Sequence, residues 1–272
     1  MWSRLKVNLK QQKTALVTGS AGFIGFHVCK RLLDEGWRIV GIDCFSDYYD
    51  VSVKHDREAM LKKYPDFRSV HEKIETKNFL MDLFSEERPS VVIHLAAQAG
   101  VRYSIENPRS YLESNILGLF ELLEAARAYS PEHMLFASTS SVYGANMQMP
   151  YREFDKADHQ ISFYAATKKS NEVMAHSYAH LFNLPITMFR FFTVYGPWGR
   201  PDMAYSIFSK AIMNGEKISV YNEGRMKRDF TYIDDLVSSI YRLIDAVPSV
   251  DIDIPRLVND SLSPVAPFRV VN

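Results

Sequence analysis

The stretch Leu16–Gly25, "LVTGSAGFIG", decides the fold. An apolar run, "TALVT" (14–18), leads into it, and an amphipathic segment, "GFIGFHVCKRLLDEG" (22–36), leads out. Gly19, Gly22 and Gly25 mark a turn from strand to helix. Such a turn lets backbone N–H groups approach a pyrophosphate, whose charge the helix N-terminus favours. Glycines alone fit a tight turn without ligand equally well, but the flanking strand and helix select the phosphate cradle. Asp43 closes the next apolar run, near the ~20-residue offset at which a carboxylate meets ribose hydroxyls. A carboxylate there repels a 2′-phosphate, so the cofactor expected is NAD rather than NADP.

Working outward, buried strands are predicted at "RIVGI" (38–42), "VVIHLA" (91–96), "HMLFAS" (133–138) and "ITMFRFF" (186–192). Amphipathic segments such as "NILGLFELLEAARAYS" (115–130) separate them. This alternation predicts an α/β protein, a Rossmann-type doubly wound parallel sheet covered on both faces. From Thr193 onward, short segments rich in Pro, Gly and charge predict a smaller substrate-binding region. The expected division is an N-terminal extension over 1–12, an NAD-binding Rossmann domain over 13–192 and a substrate region over 193–272. Some elements of the last are expected to return to the Rossmann domain.

Composition excludes several classes. Lys+Arg and Asp+Glu balance at 32 each, so no global field recruits nucleic acid or an anionic membrane. No apolar run reaches the length of a membrane span, and "MWSRLKVNLKQQK" lacks a signal-peptide core. The two cysteines, Cys29 and Cys44, have no metal-type spacing and suit a reducing, cytoplasmic compartment. No metal site is expected.

The glycine spacing is G-x-x-G-x-x-G, and with it the chain resembles the extended short-chain dehydrogenase/reductase family. "HLAAQAGVR" (94–102), Asn115 in "SNILG", and Tyr164 and Lys168 in "YAATK" carry the same resemblance. It implies cofactor contacts from Gly19, Ala21, Gly22, Phe23, Ile24, Gly25, Asp43, Ile74, Leu95, Ala96 and Ala97, and from Tyr164 and Lys168. It also implies that Asn115 steadies the proton network of the site. Tyr164 and Lys168 are four apart and share a helix face. A Tyr with a pKa of about 10 is a poor base at neutral pH. A nearby ammonium is expected to lower that value.

"ASTSSVYG" (137–144) holds three consecutive hydroxyls. A serine nucleophile needs a base and an orienter, and the G-x-S-x-G elbow is absent, which argues against a hydrolase. The family resemblance assigns Thr139 to the reacting sugar hydroxyl. Dehydratases of the family carry Asp and Glu at the next two positions; here they are Ser140 and Ser141. Neither can act as a carboxylate, so elimination is disfavoured. Their hydroxyls can donate to an anion such as a hexuronate carboxylate, or simply cap a strand end.

"RFFTVYGPWGRPDMA" (190–204), "GRMKRDFTYIDD" (224–235) and "SDYYD" (46–50) closely resemble the UDP-glucuronate 4-epimerase branch. The resemblance implies that Thr193 joins the hydroxyl cluster and that Arg200 and Arg228 bind the UDP phosphates. Arg102 is a further candidate for the hexuronate or a phosphate, or a plain surface charge. The implied reaction is NAD-dependent C4 epimerisation of UDP-glucuronate to UDP-galacturonate through a transient 4-keto sugar. A UDP-sugar is the expected small-molecule partner. A homodimer through helices near 110–128 and 161–182 is the expected assembly.

The chain departs from the family at Cys44, and at Lys73, which stands where an acid usually meets the adenine. Both changes predict weaker NAD binding. The family pattern also continues for roughly sixty residues past "SPVAPFRVVN". The chain is therefore read as C-terminally truncated, its substrate region as incomplete, and its last residues as the start of a strand. A non-catalytic NAD- or sugar-nucleotide-binding remnant, and an epimerase of another UDP-sugar, stay open as alternatives.

Overall fold

A computed structural model describes residues 12–225, 227–250 and 261–272. Residues 1–11 of the expected N-terminal extension lie outside it. Seven strands form one parallel sheet in the order β3-β2-β1-β4-β5-β6-β9. They are β1 (Thr14–Thr18), β2 (Arg38–Asp43), β3 (Phe67–His71), β4 (Val91–His94), β5 (His133–Thr139), β6 (Ile186–Phe191) and β9 (Phe268–Val271). The order reverses between β1 and β4, which opens a crevice at their carboxyl ends.

The near-continuous apolar runs form these strands because both sheet faces are covered. Alternate side chains of β1 show it. Leu16 joins one core layer, with α3 (Phe79–Glu87), α6 (Gly118–Tyr129) and α7 (Phe163–Phe182). Ala15 and Val17 join the other, with α1 (Phe23–Asp34), α2 (Ser52–Leu61) and α9 (Ile233–Ile244). Among the described residues no helix is long and apolar enough to cross a membrane, and no cluster of metal-ligating side chains occurs.

Two strand boundaries differ from the sequence reading in a way that matters. "VVIHLA" leaves the sheet after His94. There the Leu95 and Ala96 amides turn onto the Thr18 hydroxyl, at 3.2 and 3.1 Å, and close one side of the crevice. β5 runs one residue further than predicted and delivers Thr139 to the strand end.

Beyond β6, β7 (Thr193–Tyr195) and β8 (Phe230–Tyr232) pair as a separate two-stranded parallel sheet, and α8 (Ala204–Met213) lies between them in sequence. α9 then packs on α1, and β9 pairs with β6 at the edge of the main sheet. The strand expected at the last residues is therefore already formed over Phe268–Val271.

Candidate active site

The glycine turn is built by close backbone approach. Gly19 has φ +73°, and a Cβ there would lie 2.8 Å from the Ala96 nitrogen. A Cβ on Gly25 would lie 2.0 Å from the Gly19 carbonyl oxygen. No side chain caps the N-terminus of α1. Its first-turn amides therefore have no side-chain acceptor, which is the donor set a pyrophosphate requires. Ala21, Phe23, Ile24 and Gly25 follow one another through this turn. The residues present fit a dinucleotide on this side.

Asp43 ends β2 beside the turn. Its carboxylate accepts from the Ala21 amide at 3.1 Å, the Phe45 amide at 2.9 Å and Lys54 Nζ at 3.4 Å. Lys54 and Asp43 are both buried. The sequence reading missed Lys54; it lies eleven residues past Asp43, in α2, with no motif to flag it. On the adenine side, Lys73 is exposed and its amide bonds Glu72. The Ile74 side chain is buried in the core against Gly118, which leaves its backbone to face a cofactor.

The hydroxyl cluster forms where β5 ends. Thr139 caps the single 3₁₀ turn Ser140–Tyr143, accepting from the Ser141 amide at 3.2 Å and reaching the Ser141 hydroxyl at 3.3 Å. Thr139 pairs in register with Phe191 of β6, so Thr193 follows two residues beyond that partner. α7 begins next to this cluster with Ser162 as its N-cap. The Thr139 hydroxyl stands close enough to the Tyr164 phenol to favour its ionised form. The ring of Tyr111 meets Tyr164 edge-on at 5.9 Å.

The electrostatics correct one expectation. Burial pushes the Tyr164 phenol up, while the Thr139 hydroxyl and the Arg200 charge oppose it. Lys168 was expected to do the lowering. Instead its ammonium donates to the Ala137 carbonyl at 2.8 Å. Burial also brings its own pKa down to about 8, with Glu172 working against that fall. An ammonium turned onto a backbone carbonyl is a weak source of phenolate stabilisation.

Asn115 sits in a π-helical turn, Leu112–Leu117. Its amide bonds the Gln98 backbone at both ends and donates to Thr167 Oγ1 at 3.1 Å. Thr167 in turn donates to the Tyr164 carbonyl at 2.8 Å, so Asn115 reaches the tyrosine through α7.

The arginines separate. Arg200 is largely buried, forks onto Asp202 and lies over the Tyr48 ring at 5.6 Å. Its charge acts on Tyr164, which places it on the reacting side of the site. Arg228 is exposed just before β8. Arg102 is exposed at the start of the short helical turn Tyr103–Glu106, 3.9 Å from Glu106.

The largest group missed in the sequence lies behind the tyrosine. Glu172 is buried and accepts from Ser138 Oγ at 2.7 Å and from Arg190 Nε and Nη2, each at 2.9 Å. The signal was present in the spacing: Glu172 is four residues past Lys168 and eight past Tyr164, on one helix face.

A parallel sheet with a glycine turn at its switch point and a Thr–Tyr–Lys group defines a dinucleotide-dependent oxidoreductase-like site. Residues 15–254 match the NAD dependent epimerase/dehydratase family, and the chain belongs to it. A Rhizobium meliloti protein called "Probable UDP-glucuronate 4-epimerase" is 56% identical over 258 residues, covering 94% of this chain and 76% of that protein. Protein CapI of Staphylococcus aureus is 51% identical over 257 residues, 94% and 77% of the two chains. Among solved structures, the UDP-glucuronic acid 4-epimerase of Bacillus cereus in complex with UDP-glucuronic acid and NAD superposes with a TM-score of 0.82. It is 33% identical and the match covers 95% of this chain and 76% of that one.

Proposed function

We propose that the chain is an NAD-dependent isomerase that interconverts UDP-glucuronate and UDP-galacturonate at C4. One observation supports this most: Thr139 and Tyr164 meet beside Ser140 and Ser141, hydroxyls that stand where elimination chemistry needs carboxylates. The Rhizobium relative and the Bacillus structure carry the same activity in their names.

NAD, when bound, supplies hydride acceptance and return at C4 of the sugar. The glycine turn and the α1 amides hold its pyrophosphate, and Asp43, positioned by Lys54, meets a ribose. Tyr164 takes the proton of the C4 hydroxyl and later returns it, with Thr139 and Arg200 favouring the phenolate. Lys168, fixed on Ala137, orients the nicotinamide ribose. Ser140, Ser141 and Thr193 donate to the uronate carboxylate. That carboxylate is β to the transient ketone, so its orientation must be held to prevent loss of carbon dioxide. Arg200 and Arg228 are assigned to the UDP phosphates. Residues 13–192 serve as the NAD-binding domain and 193–272 contribute the substrate region.

The reading extends to a cytoplasmic homodimer. The two free cysteines, one buried and one exposed, are consistent with a reducing compartment. Leu117 at the end of the π-helical turn and Phe120 of α6, with Val173 and Leu181 of α7, are exposed apolar side chains on the two helical segments expected to pair. Light scattering at micromolar protein should give twice the chain mass.

The deciding experiment is product analysis with UDP-glucuronate and UDP-glucose in parallel, with and without added NAD. UDP-galacturonate is the expected main product. Carbon dioxide as the main product would mean a decarboxylase. Absence of interconversion with NAD bound would leave a sugar-nucleotide-binding protein.

A further inference from the structure

Arg57, in α2, is the largest side chain with no exposed surface. A buried guanidinium normally faces a carboxylate, because desolvating the charge is costly. Here the neighbouring carboxylates are already taken. Asp43 pairs with Lys54, and Glu58 with Lys62 and His71. Among the described residues Arg57 forms no ion pair, and its Nε has no partner.

Its donors meet oxygens from two distant parts of the chain. Nη1 donates to the Ala21 carbonyl of the glycine turn at 2.9 Å and to the Tyr49 hydroxyl at 3.0 Å. Nη2 donates to the Trp198 carbonyl at 2.7 Å, with the Gly199 carbonyl at 3.5 Å. Ala21 belongs to the cofactor cradle. Trp198 and Gly199 belong to the strap Gly196–Arg200, which leaves β7 and delivers Arg200 to the Tyr164 side. The strap is under backbone strain: Trp198 has φ +60°, a region bulky residues avoid. Further contacts hold the strap: His27 Nε2 on the Pro197 carbonyl at 2.9 Å, Ser206 Oγ on the Arg200 carbonyl at 2.9 Å, and the Phe26 ring against Trp198.

We propose that Arg57 is a positioning residue that fastens the Gly196–Arg200 strap to the cofactor turn and so sets where Arg200 meets the sugar nucleotide. The proposal rests on the epimerase reading. The planar fork suits this task, since two nitrogens diverge to serve both segments at once. A lysine ammonium is a single point donor and can serve fewer of these oxygens.

The test uses Arg57→Gln and Arg57→Lys, with UDP titrated calorimetrically into NAD-saturated protein and amide exchange followed over 196–202. Losing charge-assisted bonds to the strap should weaken UDP binding about tenfold in Arg57→Gln. Exchange in the strap should quicken, and KM for the UDP-sugar should rise more than kcat falls. Arg57→Lys keeps the charge and most of the stem, should fold even where the glutamine variant does not, and should recover part of the affinity. A merely structural role lowers Tm but leaves UDP binding of the folded protein alone. Wild-type UDP affinity and strap exchange in Arg57→Lys would overturn the proposal while interconversion by the wild type stands. A wild type that neither binds UDP nor interconverts the sugars would overturn the epimerase reading, and the proposal with it.

Discussion

Ser138 donates a hydrogen bond to Glu172 across 2.7 Å, tying the strand end that carries Thr139 to the helix face that carries Tyr164 and Lys168. Arg190 of β6 closes the same carboxylate from the other side. Three elements of the site thus share one buried anion. Glu172→Gln preserves the shape but leaves the Arg190 charge buried without its partner. Removing one member of a buried pair costs about 3 kcal/mol. Chemical denaturation should show a loss of that size, and kcat should fall as Thr139 and Tyr164 lose their common anchor. Wild-type stability in this variant would show that the network does not hold the site.

Gly25→Ala tests the cradle. The new methyl would stand 2.0 Å from the Gly19 carbonyl oxygen and 3.1 Å from the Ser20 Cα, both backbone atoms that cannot swing away. Overpacking of this kind costs about 1–3 kcal/mol. The turn must open to relieve it, so the variant should purify with little nucleotide while its far-ultraviolet dichroism stays close to wild type. Absorbance of nucleotide released by denaturation provides the measurement. Wild-type nucleotide content in Gly25→Ala would remove the turn from the binding site.

The parts of this site legible in the sequence are those fixed by short-range rules. The glycine turn is read from a strand, three glycines and a helix within the 21 residues Thr14–Asp34. Tyr164 and Lys168 are read from helical spacing. Thr139 is read from its place before "VYG". Lys54, Arg57 and Arg190 carry no such local mark. Each acts on a group 11 to 141 residues away, through contacts that only the strand order creates. The electrostatics of Tyr164 were misjudged for a related reason. Helical spacing puts Lys168 on the right face, but where its ammonium points is decided by the Ala137 carbonyl at the end of β5.

Ser140 and Ser141 should decide what becomes of the 4-keto sugar. A hydrogen bond to a charged group contributes about 1.5–3 kcal/mol, so removing one should raise KM for the uronate about tenfold. Ser141→Ala should therefore weaken UDP-glucuronate and leave a neutral UDP-hexose unaffected. A loosened carboxylate β to the ketone should also lose carbon dioxide more often. Trapping labelled carbon dioxide from carboxyl-labelled substrate measures that leak. Equal KM changes for charged and neutral sugars would remove the serines from the carboxylate.

Lys168 makes the stability of the protein depend on alkaline pH. Burial brings its pKa from the ordinary 10.5 down to about 8. The sign follows from proton counts. Below about pH 8 both folded and unfolded chains hold the proton, and the folded state bears the full cost of a buried ammonium. Between about 8 and 10.5 the unfolded chain binds more protons than the folded one, so stability rises with pH through that window. The rise attributable to Lys168 is about 3 kcal/mol at most, taken as the shift of roughly two and a half pKa units. Lys168→Met keeps the stem length and has no proton to lose. Tyrosines titrate over the same range in both proteins, so the difference between them isolates the lysine. Urea unfolding at pH 7 and pH 9.5 should show the wild type gaining on Lys168→Met at the higher pH, although the variant is inactive at both. A constant difference between the two proteins would mean that Lys168 keeps its ordinary pKa in the fold.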